Sequence, residues 1–555
     1  MKINHDNSIK IIPLGGLGRI GNNMLIVEIK EEILIIDAGG RFPENELNGV
    51  DLIIPDFKYI EQNAKKIKGL LITHGHEDHI AAIPHLQKKL KFPIYAPKFA
   101  SEIILNKFTQ NQKLSNLNIT PISKGIVYKI GNFKVKWFEM CHSIPDSTGI
   151  FIETPFGKII HTGDFKIDHN PIIGNPSNLS ELANISKDKI LLLMSDSTNA
   201  NEEGYSGSDK EVFENLFNII SKSKGRVFIS SFASQISRMQ MIFYIAKLCE
   251  RKIAFAGRSM IRNAKISKDL NYLEIPNQSE VPLSQSSKLT DDKVIIMITG
   301  SQSEPGSSLV KLSCNQHKKI KIKKGDTVII SASVIPGNEI KVNRTIDNLV
   351  RLGAKVITEK NFNIHVSGHA KKEELSLIIN LIKPHLYLPI HGDYRMLQAN
   401  ANIAKENGIE EKNIFVLDDG NILEIQGKSG NVSGNIPSGS LYVDKSGNIL
   451  NNTNLIENQS ASTNNGVITI SCIREKKSGK VLEAVTVNQL NISKEKNIKK
   501  IIKELQNIII KSITQNNSKN LDLEQNEKIL EKKSRDYISG NMKKMPIVII
   551  STIQI

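Results

Sequence analysis

Cysteine is scarce in this chain of 555 residues: the four, Cys141, Cys249, Cys314 and Cys472, lie far apart with no CxxC pair among them. That excludes a disulfide framework and a thiolate zinc clip, and reads as reduced thiols in a cytosolic protein. No apolar run approaches the ~18 residues that would read as a membrane span. The polar start at Met1–Asn7 leads into a short strand and not into an apolar signal core. Aromatics make up 5% of the residues, with a single tryptophan. Acidic groups are also in deficit, 57 against 73 Lys and Arg, a formal charge of +16. A surplus of that size favours a polyanionic partner, nucleic acid before membrane, although the abundance of Ile, Lys and Asn also fits an AT-rich genome.

What the chain has instead is histidine and carboxylate at strand ends. Thr73-His74-Gly75-His76-Glu77-Asp78-His79 follows the apolar run Gly69–Ile72 and precedes apolar residues at helical spacing from Ile80 to Leu90. Imidazole and carboxylate together suit zinc, manganese or iron. In an extended segment residues alternate sides, so His74, His76 and Asp78 are expected on one face, while His79 breaks the alternation and implies a second metal. Three later apolar runs end in the same way, at His142, at Asp164 and at His391. His74, His76 and His142 then form one site, and Asp78, His79 and His391 a second, with Asp164 placed to bridge them. His85 lies on the following helix and is expected to be no ligand. The glycines of Gly15-Gly16-Leu17-Gly18 do not make a dinucleotide loop, because the next element is another strand.

With these residues in view the chain resembles the metallo-β-lactamase fold, and within it the β-CASP nucleases of the ribonuclease J family. The motifs are HGHEDH at 74–79, HSIPDS at 142–147, HTGDF at 161–165, SDSTNA at 195–200 and GRSM at 257–260. They continue with TGSQSEP at 299–305, IPGNE at 335–339, HVSGH at 365–369 and HGDYRML at 391–397. The resemblance implies an α/β architecture: an αββα sandwich with an inserted β-CASP α/β domain and a small α+β C-terminal domain. The expected division is 1–205 and 358–427 for the sandwich, 206–357 for the insert, 428–466 as linker and 467–555 for the C-terminal domain. Independently, Arg226–Ser230, Val294–Ile298 and Thr327–Ser331, spaced by helical stretches, read as a parallel α/β unit.

The same resemblance implies a metal-dependent ribonuclease. It would cut RNA internally and from the 5′ end with a preference for a 5′-monophosphate, in mRNA decay and rRNA maturation. Two divalent ions are expected, Zn²⁺ first and Mn²⁺ or Mg²⁺ as alternatives. Asp196 matches the family's acidic residue that supports a ligand histidine or relays protons, and His369 is the candidate proton donor. The loop His365, Val366, Ser367, Gly368 and His369 is expected to hold substrate phosphate, and Ser234, Arg258, Ser301 and Gln302 to line the RNA channel. Single-stranded RNA, self-association as a dimer or tetramer through the C-terminal domain and membership of an RNA-degradation complex are the implied partners. Arg19 departs from the pattern where relatives commonly carry an acid. Two rival readings are a small-molecule hydrolase of the same fold and a catalytically idle RNA-degradation scaffold.

Overall fold

The computed structural model describes residues 7–43, 47, 49–110, 117–335, 337–450, 467–474, 486–490, 498–516, 523–542 and 546–554. Two compact units are present, one holding residues 1–44 and 52–441, the other 45–51 and 442–555.

The first unit is organised by two sheets that face each other. One has eight strands, with Ile9–Gly15, Met24–Ile29, Glu32–Ile36 and Ile67–Leu71 side by side in its middle; the other has six and starts at one edge with Leu386–Ile390, Leu192–Asp196 and Gly157–His161. Both are rich in Ile, Leu and Val, which suit a pleated, two-sided apolar environment. Ile9, Ile11, Val27, Leu34 and Ile36 from one sheet pack with Val135, Trp137, Ile150, Leu192 and Met194 from the other. Outside the second sheet, Leu375, Ile378 and Ile382 of helix Lys372–Ile382 pack against Ile160, Leu193 and Tyr387.

Parallel pairing brings the strand ends together. In the six-stranded sheet His161 lies opposite Met194 and Asp196 opposite Ile390, so the chain leaves three neighbouring strands at one edge. In the eight-stranded sheet Ile36 pairs with Leu71, which sets Asp37 beside the Thr73–His79 turn. The Trp137 indole N–H donates to the Ile72 carbonyl at 3.0 Å and fixes the last residue before that turn. Gly39 is required there, because a Cβ would stand 1.5 Å from the Asp78 carbonyl oxygen.

The chain between these strands builds a five-stranded parallel sheet in the order Lys252–Ala256, Val294–Ile298, Val227–Ser230, Thr327–Ile330, Lys355–Thr358. Its faces are covered by helices such as Ser308–Ser313 and Glu339–Arg351 through Leu309, Leu312 and Leu349. Among the described residues, the second unit pairs Thr486–Leu490, Val467–Arg474 and Ile547–Gln554 with two helices, Ile498–Asn516 and Leu523–Asn541. Helix Ile498–Asn516 buries Ile501, Leu505, Ile509 and Ile513 in that unit's core.

Two expectations change. The stretch 428–466 does not begin as linker: Ser429–Asn435 is an edge strand paired with Asn421–Gln426, and it escapes notice because it is almost wholly exposed and, Val432 apart, built of Ser, Gly and Asn. Its remainder from 451 to 466 lies outside the described residues. Asp78 is not on an extended run with His74 and His76, because the chain turns into a short helix at Glu77–Ile80. That turn swings Asp78 and His79 towards His391. Among the described residues no helix is long and apolar enough to cross a membrane.

Candidate metal centre

His74 Nε2, His76 Nδ1 and His142 Nε2 converge, with His76 Nδ1 3.1 Å from each of the other two nitrogens. Beside them, His391 Nε2 lies 3.2 Å from Asp78 Oδ2, and His79 Nε2 lies 3.5 Å from the same oxygen. One atom joins the groups. Asp164 Oδ2 stands 3.2 Å from His79, 3.6 Å from both His74 and His391, and 3.9 Å from His142. Seven nitrogen and oxygen donors in two sets sharing one carboxylate fit divalent metal ions.

Four of the five imidazoles are aimed by the nitrogen they do not present. His79 Nδ1–H donates to Asp37 at 2.7 Å, and His142 Nδ1–H to the Gly368 carbonyl at 2.6 Å. His391 Nδ1–H donates to Thr198 Oγ1 at 2.6 Å, and His74 Nδ1–H to Thr73 Oγ1 at 3.0 Å. The Thr73 hydroxyl in turn donates to Asp37. Partners of this kind fix the ring tautomer, so four rings offer Nε2 to the centre. Asp37 and His391 both adopt left-handed backbone, φ 57° and 56°. Such conformers cost about 1–3 kcal/mol each and persist only where the surroundings impose them.

The electrostatics divide the donors. Burial, with neighbouring imidazoles, drives His74 well below its ordinary range, and holds His76 at about 4 and His142 at about 3. Those rings are neutral at pH 7, as ligands must be. Burial opposes protonation of His79 and His391 too, but Asp164, with Asp78 and Asp37 for His79 and Asp196 and Asp78 for His391, overcomes it and raises both. An entering metal must therefore displace protons from His79 and His391. Metal affinity is expected to climb with pH through their raised pKa values, with net proton release near neutrality. Titration calorimetry in two buffers of different ionisation enthalpy measures this; identical apparent enthalpies would contradict it.

Asp196 and His369 form a pair against this centre. His369 Nδ1–H donates to Asp196 Oδ2 at 2.8 Å, and its ring stacks on His391 with centroids 5.3 Å apart. Asp196 Oδ1 is also 3.4 Å from His391 Nδ1. Burial lowers His369 but the Asp196 carboxylate prevails and raises it, while Asp196 is itself held well below the carboxylate range.

The 365–369 loop is pinned by Asn199, whose side-chain N–H₂ donates to Ser367 Oγ and the His369 carbonyl. Gly368 lies so close to His142 that a Cβ would stand 2.6 Å from its ring. His365 is held neutral at about 3 by burial, with Arg238 and Lys166 adding to the effect, and its Nδ1 lacks a hydrogen-bond partner. Val366 is buried. Ser234 stands half-buried before helix Ile236–Leu248, and Arg258 is exposed at the start of helix Arg258–Asp269. Ser301 is buried with a free hydroxyl. Gln302 donates to the Ser333 carbonyl and accepts from Ile335 N, bracing Ser333–Ile335. His85 joins neither donor set.

Sequence reasoning missed Asp37, Thr198 and Asn199, and also His161, which is buried and accepts from Gly163 N at 3.0 Å. Asp37 had a readable signal, since it ends an apolar strand just as Asp164 follows one. Thr198 and Asn199 lie inside the SDSTNA motif at 195–200, but nothing local in a hydroxyl after a strand shows which histidine it holds.

Comparison with known proteins agrees with this geometry. Residues 17–197 match the profile of the metallo-beta-lactamase superfamily, 224–349 that of the ribonuclease J beta-CASP domain, and 353–417 that of the Zn-dependent metallo-hydrolase RNA specificity domain. Ribonuclease J of Helicobacter pylori (strain J99) is 38% identical over 542 residues, covering 97% of this chain and 78% of that protein. Ribonuclease J of Synechocystis is 39% identical over 84% of this chain and 73% of its own length. That of Thermus thermophilus is 39% identical over 79% and 77%. A solved Enterococcus faecalis protein of unknown function superimposes with a TM-score of 0.53 at 16% identity, over 76% of this chain and 100% of that one, a likeness of fold. The chain belongs to the ribonuclease J family.

Proposed function

We propose that the protein hydrolyses RNA phosphodiester bonds at this centre, internally and processively from a 5′-monophosphate end. The observation that carries the reading is the seven-donor cluster with the Asp196–His369 pair stacked against it. His74, His76 and His142 would hold one ion and Asp78, His79 and His391 the other, with Asp164 common to both. Zinc is favoured, with manganese or magnesium as alternatives. When bound, such ions lower the pKa of water to supply hydroxide at neutral pH and neutralise charge on the phosphate.

The chain's own groups do the rest. His369 keeps Nδ1–H on Asp196 and holds the proton at Nε2 for the departing oxygen. Ser367 Oγ already accepts from Asn199 and from His369 N. Its hydroxyl hydrogen is thus left to donate, which suits a phosphate oxygen. The unpartnered His365 Nδ1 and buried Arg238 Nη2 add donors for the 5′-monophosphate. Ser234, Arg258 and Ser301 are proposed to contact the RNA, with Gln302 acting through the loop it braces.

The C-terminal unit is proposed to join copies into a dimer or tetramer. Strand Ile547–Gln554 is an edge paired on one side only among the described residues, with Ile549 exposed. Light scattering of the full chain reads the assembly.

The test of activity uses 5′-labelled RNA bearing a monophosphate or a triphosphate, with Zn²⁺ or Mn²⁺. Rapid release of labelled mononucleotide is expected from the monophosphate RNA alone, with slower internal cuts in both. Absence of cleavage of either would leave the scaffold reading; turnover of a lactam or thioester in place of RNA would favour the small-molecule hydrolase.

A further inference from the structure

The two ends of the parallel sheet in the inserted domain differ in what they present. Its carboxyl ends lead into Ser231, Gly257, Thr299 and Ser331, and Ser331 Oγ and Arg238 both donate to the Ile364 carbonyl, next to the catalytic loop. The amino ends are basic instead. Lys252 and Lys355 begin their strands, Lys293 and Arg226 immediately precede theirs, and the run Lys318, Lys319, Lys321, Lys323 and Lys324 leads into the fifth, Thr327–Ile330.

Backbone packing gathers these turns. Gly225 lies so close to the Gly325 carbonyl that a Cβ would stand 2.4 Å from it, Gly325 N–H donates to Gly353 O at 3.2 Å, and a Cβ on Gly353 would meet Lys324. Lys224, Lys324 and Lys355 are thereby neighbours on one edge. Three carboxylates there are already engaged, Asp326 with buried Arg226 at 2.6 Å, Asp291 with Lys323 at 3.0 Å and Glu250 with Lys293 at 3.0 Å, while Asp292 is exposed beside Lys293. Lys224, Lys318, Lys319, Lys321, Lys324 and Lys355 have no ion pair among the described residues. Helix ends account for Lys222, Lys247, Lys268 and Arg351, which sit in last turns where cations offset the dipole. They do not account for Lys318–Lys324, which lies beyond helix Ser308–Ser313 and caps nothing.

We propose that this amino-terminal edge is a second RNA-docking face, one strand length (roughly 15 Å) from the edge that meets the catalytic loop, and that it takes a double-helical segment of the RNA being degraded. The inference rests on RNA as substrate. Residues 315–326 hold no Phe, Tyr or Trp and their one aromatic ring is the half-buried His317, so they offer no platform for successive unpaired bases and the docking is to phosphates. Ile320 is buried and no large exposed apolar side chain accompanies the lysines in that run, unlike a membrane-inserting face.

The test is the full-length variant Lys318→Glu/Lys319→Glu/Lys321→Glu/Lys324→Glu beside the unaltered chain. Probes are a 5′-monophosphate hairpin RNA with a single-stranded 5′ tail and a single-stranded RNA of about five nucleotides. Hairpin affinity is expected to fall about tenfold or more near 0.1 M salt. The log–log salt slope should fall by about three to four, since each duplex phosphate that a lysine no longer neutralises removes about 0.9. Pentamer turnover should stay within about twofold, which also reports correct folding. An unchanged slope overturns the proposal. So does an equal loss on the pentamer, which would mean a general field at the catalytic channel, or stronger retention on phosphatidylserine vesicles than on hairpin. If the unaltered chain cuts neither RNA, the ribonuclease reading fails, while the binding comparison still decides the docking face.

Discussion

Asp164→Ala is expected to empty both donor sets of metal and to abolish internal and 5′-end cleavage together. The reason is one atom: Asp164 Oδ2 lies within 3.2–3.9 Å of four imidazole nitrogens drawn from both sets. Without it each set loses its anionic member or one of two, and the raised pKa values of His79 and His391 lose a principal support. Elemental analysis of the purified variant reads metal content, and labelled RNA reads activity. His76→Ala and Asp78→Ala each touch a single set, yet both cutting modes should still fall together, because one centre serves both. Survival of either mode in any of the three variants would show that the cutting modes use separate sites.

The second large effect belongs to His369. A general acid contributes about 10²–10⁴-fold, so His369→Gln should lower kcat by that factor with little change in RNA affinity. A substrate with a sulfur leaving atom, which needs no proton, should recover most of the loss. Asp196 supplies the sign of the pH effect. It raises the His369 pKa against burial, and the acid works only while protonated, so activity falls as pH rises through that value. Asp196→Asn leaves burial unopposed by the nearest charge, the pKa drops, and the alkaline limb of the kcat profile moves to lower pH. An unmoved limb would assign the proton to another group.

The centre was largely legible because its chemistry is written at strand ends. His142, Asp164 and His391 each follow an apolar run, and the structure gathers those ends at neighbouring edges. Asp78 shows where pattern fails. Alternation holds only while the chain stays extended, and the helix at Glu77–Ile80 reassigns Asp78 to its partners across 313 residues of sequence. The supporting groups were least visible. Asp37 steers His79 and Thr198 steers His391, but each acts through one hydrogen bond to a residue remote in sequence, and no local spacing encodes that. Ser429–Asn435 was hidden for a different reason: an exposed edge strand owes its form to ladder bonds from its neighbour and not to its own side chains.

The separation of Asp78 from His391 also orders events during synthesis. At about 5–20 residues per second, the ribosome needs on the order of 15–60 s to travel from one to the other. Throughout that interval the emerging chain holds at most the His74, His76 and His142 side of the centre. The inserted domain must be threaded out, and the strand ending at Ile390 must slot beside Leu192–Asp196, before the second set exists. A nascent or truncated chain that stops short of His391 therefore lacks the second donor set, and catalytic competence arrives late and all at once.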